Sequence, residues 1–316
     1  MAPLQNRCRT LPIKRQPKWY LIFLAICFLS TVAWPQLRSG TIVVISYSKQ
    51  KVIVAADSRA NFGDGRYEDS YCKITALSDK LVFAATGIVG DSSYLLPEDL
   101  RFGAIEEARK AVVGITLRPN PQDTSSVHTD AFFDAVGERW GSAMAERFRR
   151  AAPERLQDWL KIMSLENNRT SAPFVIGIFA GLGTYGQIMV MSVHVDYGRP
   201  QKDMRVPLAH YDLEWLDISE LPEGMTITEA YGMPEIVQEI NGGKTDFAKR
   251  EMAALAELRQ KTTPDEYDRL RAIRLVDLTI AFHPKHDFVG GKIDAAELLR
   301  GGKINWRQRK ENCPAN

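Results

Sequence analysis

Apolar residues in the first part of this chain fall in short runs. "TIVVIS", "VIVAA", "KITAL" and "LVFAAT" are rich in β-branched side chains and are separated by turn-prone "YSKQK", "NFGDG" and "LSDK". Runs of this length and composition predict strands, joined as an antiparallel meander at the front of the domain. Further on the period changes. Two helical stretches follow, and in the second Phe132, Val136, Trp140, Met144 and Phe148 recur every fourth residue with charged residues between them. That stripe predicts an amphipathic helix that needs a sheet to cover.

The segment Phe174–Val195, "FVIGIFAGLGTYGQIMVMSVHV", predicts two strands around a glycine-rich turn. No helix follows Gly181-Leu182-Gly183, so the turn reads as a hairpin and not as a phosphate loop. "MTITEAYG" predicts another strand. Thr263-Pro264-Asp265-Glu266 forms a capping box with proline at the first helical position, and Tyr267, Leu270, Ile273, Val276 and Ile280 continue one helical face until His283-Pro284 ends it. "GKIDAAELL" predicts a last strand that closes the chain. Strands, helices, strands, helices and a strand give two stacked antiparallel sheets flanked by helices, a layered α+β domain and not alternating βαβ units. No repeat or low-complexity linker divides it.

Charge changes the picture at the N-terminus. The formal net charge is +2, from 41 basic and 39 acidic residues. Six of the basic residues (Arg7, Arg9, Lys14, Arg15, Lys18 and Arg38) lie in the first 40 positions, which hold no Asp or Glu. The remaining 35 basic residues face all 39 acidic ones, a net of −4, so the body offers no basic footprint for nucleic acid. Between the basic residues and Pro35 runs an uncharged stretch, Trp19–Trp34. It is short for a spanning helix and suits the core of an export signal, either removed or kept as a signal anchor. The expected organisation is therefore 1–40 as signal peptide or anchor plus a short propeptide, and 41–316 as one domain. The protein is expected outside the cytoplasm, periplasmic or extracellular, touching membrane only through its leader. Cys8 and Cys27 fall in the leader, which leaves Cys72 and Cys313 in the body. These could form one disulfide in an oxidising compartment, but two unrelated thiols is the expected state. "HPKHD", with His283 and His286, reads as a helix end with two exposed histidines and not as a metal centre. No cofactor or metal is expected.

The pair Gly40-Thr41 raises the chemistry. A threonine hydroxyl attacks poorly until a base takes its proton, and the threonine's own α-amino group can serve once that residue is the first of the chain. While Gly40 is attached, the nitrogen is a non-basic amide, so such an enzyme is born inactive and must be cut at Gly40–Thr41. A lysine is then needed nearby to keep the amine unprotonated, with a carboxylate to hold the lysine.

"GTIVVISYSKQKVIVAADSRA…YCKITALSDKLVFAATGIVGD" resembles the N-terminal half of a proteasome β-subunit, of the N-terminal-nucleophile (Ntn) hydrolases with a four-layer αββα sandwich. Thr41, Asp57 sixteen residues on in an A-A-D-S-R setting, Lys73 thirty-two on and Gly87 forty-six on take the family's spacings. Arg59 and Asp91 also fall on family positions. The resemblance implies Thr41 as nucleophile, Lys73 as the charge that tunes its amine, Asp57 as the group that orients Lys73, and Gly87 as an oxyanion donor. It implies that Ala60, Tyr71, Ala85 and Val89 line an apolar first substrate pocket, and, through "HDFVGG", that Asp287 is a supporting carboxylate. Of two family serines, one is replaced by Gly290 or missing, and the other falls on Met233. The expected function is an exported, self-processing threonine-type hydrolase of peptide or amide bonds, stand-alone or a homo-oligomer. The alternatives are an inactive proteasome-like binding or assembly module and an Ntn acylase of small amides.

Overall fold

The computed structural model describes residues 37–40, 42–62, 66–91, 97–115, 130–167, 173–197, 209–283, 288–311 and 313. The chain divides between Trp34 and Pro35, and every described residue lies in the second part. The basic and apolar leader, Thr41, His286 and Asp287 lie outside the described residues. Among the described residues no helix is long and apolar enough to cross a membrane.

Two antiparallel sheets carry the fold. The first runs in the order β11 (Ala209–Trp215), β10 (Ile188–Tyr197), β9 (Val175–Leu182), β7 (Leu81–Asp91), β1 (Leu37–Gly40), β4 (Ala60–Phe62), β5 (Arg66–Glu68), with β6 (Ile74–Ser78) and β8 (Phe102–Gly103) also paired to β7. The second runs β12 (Ile227–Gly232), β2 (Ile42–Tyr47), β3 (Lys51–Ala56), β13 (Asp294–Leu299), β14 (Ile304–Gln308). The described helices are α1 (Ala104–Val112), α2 (Ala131–Asn167), α3 (Glu235–Gly242), α4 (Asp246–Lys261) and α5 (Pro264–Phe282), besides a single 3₁₀ turn at Glu98–Leu100.

The apolar runs read as unbroken because both faces of the central strands are buried. In β2, Val43, Ile45 and Tyr47 face the core between the sheets, whereas Ile42 and Val44 face α3, α4 and α5. In β3, Val52, Val54 and Ala56 take the inner face and Ile53 and Ala55 the outer. The first sheet shows the same alternation: Ile178, Ala180 and Val190 point inward, while Phe179, Met191 and Val193 pack on α1 and α2. The stripe Val136, Trp140, Met144 and Phe148 covers that outer face, with the Trp140 indole N–H donating to the Ala104 carbonyl at 2.9 Å. Helices thus cover the outer face of each of two stacked sheets, the α+β arrangement of an Ntn-type sandwich.

Several expectations need correction. The front strands form no single meander. The pairs β2–β3 and β6–β7 lie in different sheets, because the chain leaves the second sheet at Asp57 and re-enters in the first at Ala60. The last strand is β14 and not the "GKIDAAELL" strand, and two helices, α3 and α4, precede α5. The glycine-rich hairpin holds, but Gly181 and Leu182 belong to β9 and the turn is 183–187, closed by Gly183 N–H to the Gln187 carbonyl. His283 is buried beside Glu235 and not exposed. Cys72 and Cys313, expected as unrelated thiols, form a disulfide with Cα atoms 5.7 Å apart, because β14 returns the chain's end to the loop before β6.

Candidate active site

The site gathers where the chain changes sheets. β1 ends at Gly40 in the first sheet and β2 begins at Ile42 in the second, so Thr41 is the single residue between them. β1 is no edge strand. It pairs with β7 on one side, with Leu37 opposite Asp91, Arg38 opposite Gly90, Ser39 opposite Ile88 and Gly40 opposite Gly87. On the other side Ser39 pairs with Asn61 of β4. Within the sheet, β1 is what joins the β4–β5 hairpin to the rest.

Asp57 follows the last residue of β3 and is fully buried, as is Lys73 just before β6. The Lys73 ammonium donates to Asp57 Oδ1 at 2.5 Å. The same oxygen accepts the Ile42 backbone N–H at 3.2 Å, one residue from Thr41. Oδ2 accepts from the Gly290 N–H at 3.0 Å and the Arg59 N–H at 3.3 Å. One carboxylate therefore ties together the start of β2, the lysine, its own loop and the segment that follows α5. Such a group holds a buried ammonium in place, because an isolated charge would not survive without paired partners.

The flanking loops are fixed by equally specific contacts. The Gly290 carbonyl accepts the N–H groups of Ser58 and Arg59. Gly291 has φ +74°, and a β-carbon there would lie 2.3 Å from Ser58 Oγ. Arg59 grips Asp69 with two hydrogen bonds, 2.6 and 2.9 Å, and lies 3.9 Å over the Tyr67 ring. Its Asp69 partner outweighs burial and raises the guanidinium pKa. Asn61 Nδ2 donates to the Phe288 carbonyl at 2.9 Å.

Gly87 sits opposite Gly40, whose carbonyl would be attacked in self-cleavage. It has φ +86°, and a β-carbon would fall 2.2 Å from the Phe174 carbonyl oxygen, so no other residue fits that backbone. Of the expected pocket residues, Tyr71, Ala85 and Val89 come together in the cluster under α1, while Ala60 is buried apart from that cluster in β4. Beside Tyr71 and the β1 register at Gly90 and Asp91 opens a cavity of about 280 Å³, lined also by Arg101, Glu106 and Lys110. The charged wall was not foreseen, since α1 and the turn before it carry no spacing signal. Asp91 is buried against Arg155 of α2. Also unforeseen was the C-terminal tail, which reaches Tyr71 and Cys72. A disulfide between the only two cysteines beyond the leader was the available signal. Met233 is buried against α3 and offers no hydroxyl. One trio that could hold a cation, Asp196, His210 and Asp212, lies on β10 and β11, away from Lys73 in the sheet order.

No curated protein matches the chain. Residues 37–97 match the family model described as "Proteasome subunit", a span that contains Asp57, Lys73 and Gly87. That segment is similar to a proteasome subunit, and the stacked antiparallel sheets are consistent with a proteasome-like, N-terminal-nucleophile type of sandwich.

Proposed function

We propose that this protein is an exported threonine-type peptidase that activates itself by cutting Gly40–Thr41. The observation that carries the reading is the place of β1, an interior strand held between β7 and β4 with Gly40 opposite Gly87. β1, Leu37–Gly40, lies where a substrate would lie. When it leaves, the sheet keeps a slot with two open edges, which an extended peptide fills by strand addition. A small amide would leave most of those backbone groups unpaired, so the slot favours the peptidase over the acylase.

In the precursor, Thr41 Oγ attacks the Gly40 carbonyl, the acyl group moves from nitrogen to oxygen, and water releases it. The freed α-amine then takes the Thr41 hydroxyl proton in each turnover and returns it to the leaving amine. The Lys73 ammonium favours ionisation of the Thr41 hydroxyl in the precursor and lowers the freed amine's proton affinity afterwards, Asp57 fixes Lys73 and the start of β2, and backbone N–H groups at Gly87 and Thr41 receive the oxyanion. Asp287 stands as a further supporting carboxylate in this proposal. The disulfide and the basic-apolar leader support an oxidising compartment outside the cytoplasm. Proteasome-family members commonly form oligomers, and a homo-oligomer is consistent with that.

The test is intact-mass measurement and N-terminal sequencing of purified protein, with a panel of peptides and N-acyl amides. The expected result is a chain that begins at Thr41 and cleaves peptides, with Thr41→Ala left uncut and inert. An uncut wild type with no hydrolysis would leave an inactive binding module.

A further inference from the structure

We propose that the C-terminal tail, through residues 309–311 and Cys313, is a positioning device for Lys73, so that closing the Cys72–Cys313 disulfide switches on the cleavage assigned above. The inference rests on that assigned function. Residues 71–73 belong to no strand or helix, so Lys73 stands where its neighbours hold it. Ser58 O accepts the Tyr71 N–H at 3.1 Å, and Lys73 O accepts the Ala85 N–H at 3.3 Å. The tail adds two further contacts. Cys313 is bonded to Cys72, the residue next to Lys73. The Lys310 ammonium donates to the Tyr71 carbonyl at 2.5 Å.

The tail is itself anchored to β13, the strand paired with the one that presents Asp57. Lys310 Nζ lies 2.8 Å from Asp294 Oδ2, both side chains buried, and the Lys310 N–H donates to Asp294 Oδ1 at 3.0 Å. Asp294 is paired across the sheet with Ala56, the residue before Asp57. The Cys313 N–H donates to the Lys310 carbonyl at 3.2 Å, which turns the cysteine back towards the loop. One short segment thus joins the end of β3, which carries Asp57, to the loop that carries Lys73. It thereby sets the separation of the two. Lys310, Asp294 and the disulfide are positioning groups in this sense.

Closure joins the two thiols by one sulfur–sulfur bond. Two electrons and two protons pass to a protein disulfide of the export compartment, which leaves as a dithiol. Before export both thiols stay reduced, the loop is held less tightly, and the precursor stays uncut.

The experiment follows Gly40–Thr41 cleavage by intact mass in the full-length chain. It compares oxidised wild type, wild type reduced by dithiothreitol (the reductant ending as its cyclic disulfide), and oxidised Lys310→Met and Lys310→Arg. A displacement of the lysine on the ångström scale is expected to slow cleavage by about 10²-fold in the reduced and Met forms, with native circular dichroism retained. The acid limb of peptide hydrolysis by matured Lys310→Met should move to higher pH, because an amine less close to Lys73 binds its proton more tightly. Lys310→Arg should recover both. Oxidised wild type that matures, with reduced and Met forms equally fast and an unchanged pH profile, overturns the inference and leaves the assigned function standing. Slowing that merely tracks loss of native dichroism also counts against it. Should Lys310→Met not fold, the rate of the reduced wild type decides. Oxidised wild type that neither matures nor hydrolyses peptides removes the assigned function, and the inference with it.

Discussion

Lys51 and Lys73 are both buried against carboxylates, and only one of the two belongs to the candidate site. Lys73 and Asp57 are both sealed from solvent, and the other lone pairs of Asp57 go to backbone N–H groups of Ile42, Arg59 and Gly290. Lys51, the first residue of β3, is held 2.7 Å from Asp265 and 2.9 Å from Asp268, both in the first turns of α5. Asp265 is 82% exposed, and Asp268 accepts a further bond from Thr226. Residue type and distance are almost the same in the two places. What differs is what the carboxylate is tied to. Asp57 fixes the point where the chain crosses between sheets, whereas Asp265 and Asp268 pin a helix to a strand end. A lysine–carboxylate pair becomes a candidate for chemistry when its remaining bonds locate a reactive backbone, and is otherwise a clamp.

The comparison can be broken by substitution. Lys73→Met should cut peptide hydrolysis by about 10²–10⁴-fold, the usual worth of proton-transfer assistance, while Lys51→Met leaves it unchanged in a steady-state assay. Loss of activity in both would erase the distinction. Asp57→Ala leaves a buried ammonium unpaired and should cost about 3–5 kcal/mol in urea unfolding. Lys51→Met, which leaves Asp265 in water and Asp268 still bonded to Thr226, should cost less by the same measurement. The smallest effect is on alkaline stability. Burial lowers the Lys51 pKa, but hydrogen bonds to Asp265 and Asp268 outweigh it, and the net shift is upward from 10.5. The folded protein keeps that proton where the unfolded chain has released it, so the stabilisation is full below 10.5 and is lost as pH rises through the folded value. Unfolding curves taken on either side of that window should converge for wild type and Lys51→Met as the pH increases.

The spacing of Asp57, Lys73 and Gly87 was legible because Asp57 directly follows β3, Lys73 directly precedes β6 and Gly87 lies within β7, all in one ungapped stretch. The strands themselves were legible from their β-branched runs. Their assignment to sheets was not, since burial on both faces says that a strand is central without saying which neighbour it has. α3 spans only eight residues, too few for a helical period to stand out, and α4 is polar around most of its surface, with Ala248 and Leu255 among its few buried apolar side chains. β14 is an edge strand with largely exposed residues and so lacks an apolar run. The tail clasp depends on a contact across 241 residues, which no local pattern reports.

The interior position of β1 carries a consequence for the ripened molecule. If the proposed cut releases β1, the hairpin of β4 and β5 loses the strand that joins it to the larger sheet, and two bare rims of amide and carbonyl face each other across a strand-wide gap. Such rims are adhesive towards any unfolded chain. A concentrated stock of ripened enzyme, starved of substrate, should therefore clump sooner than its uncut parent, and a snug peptide plug should keep it clear.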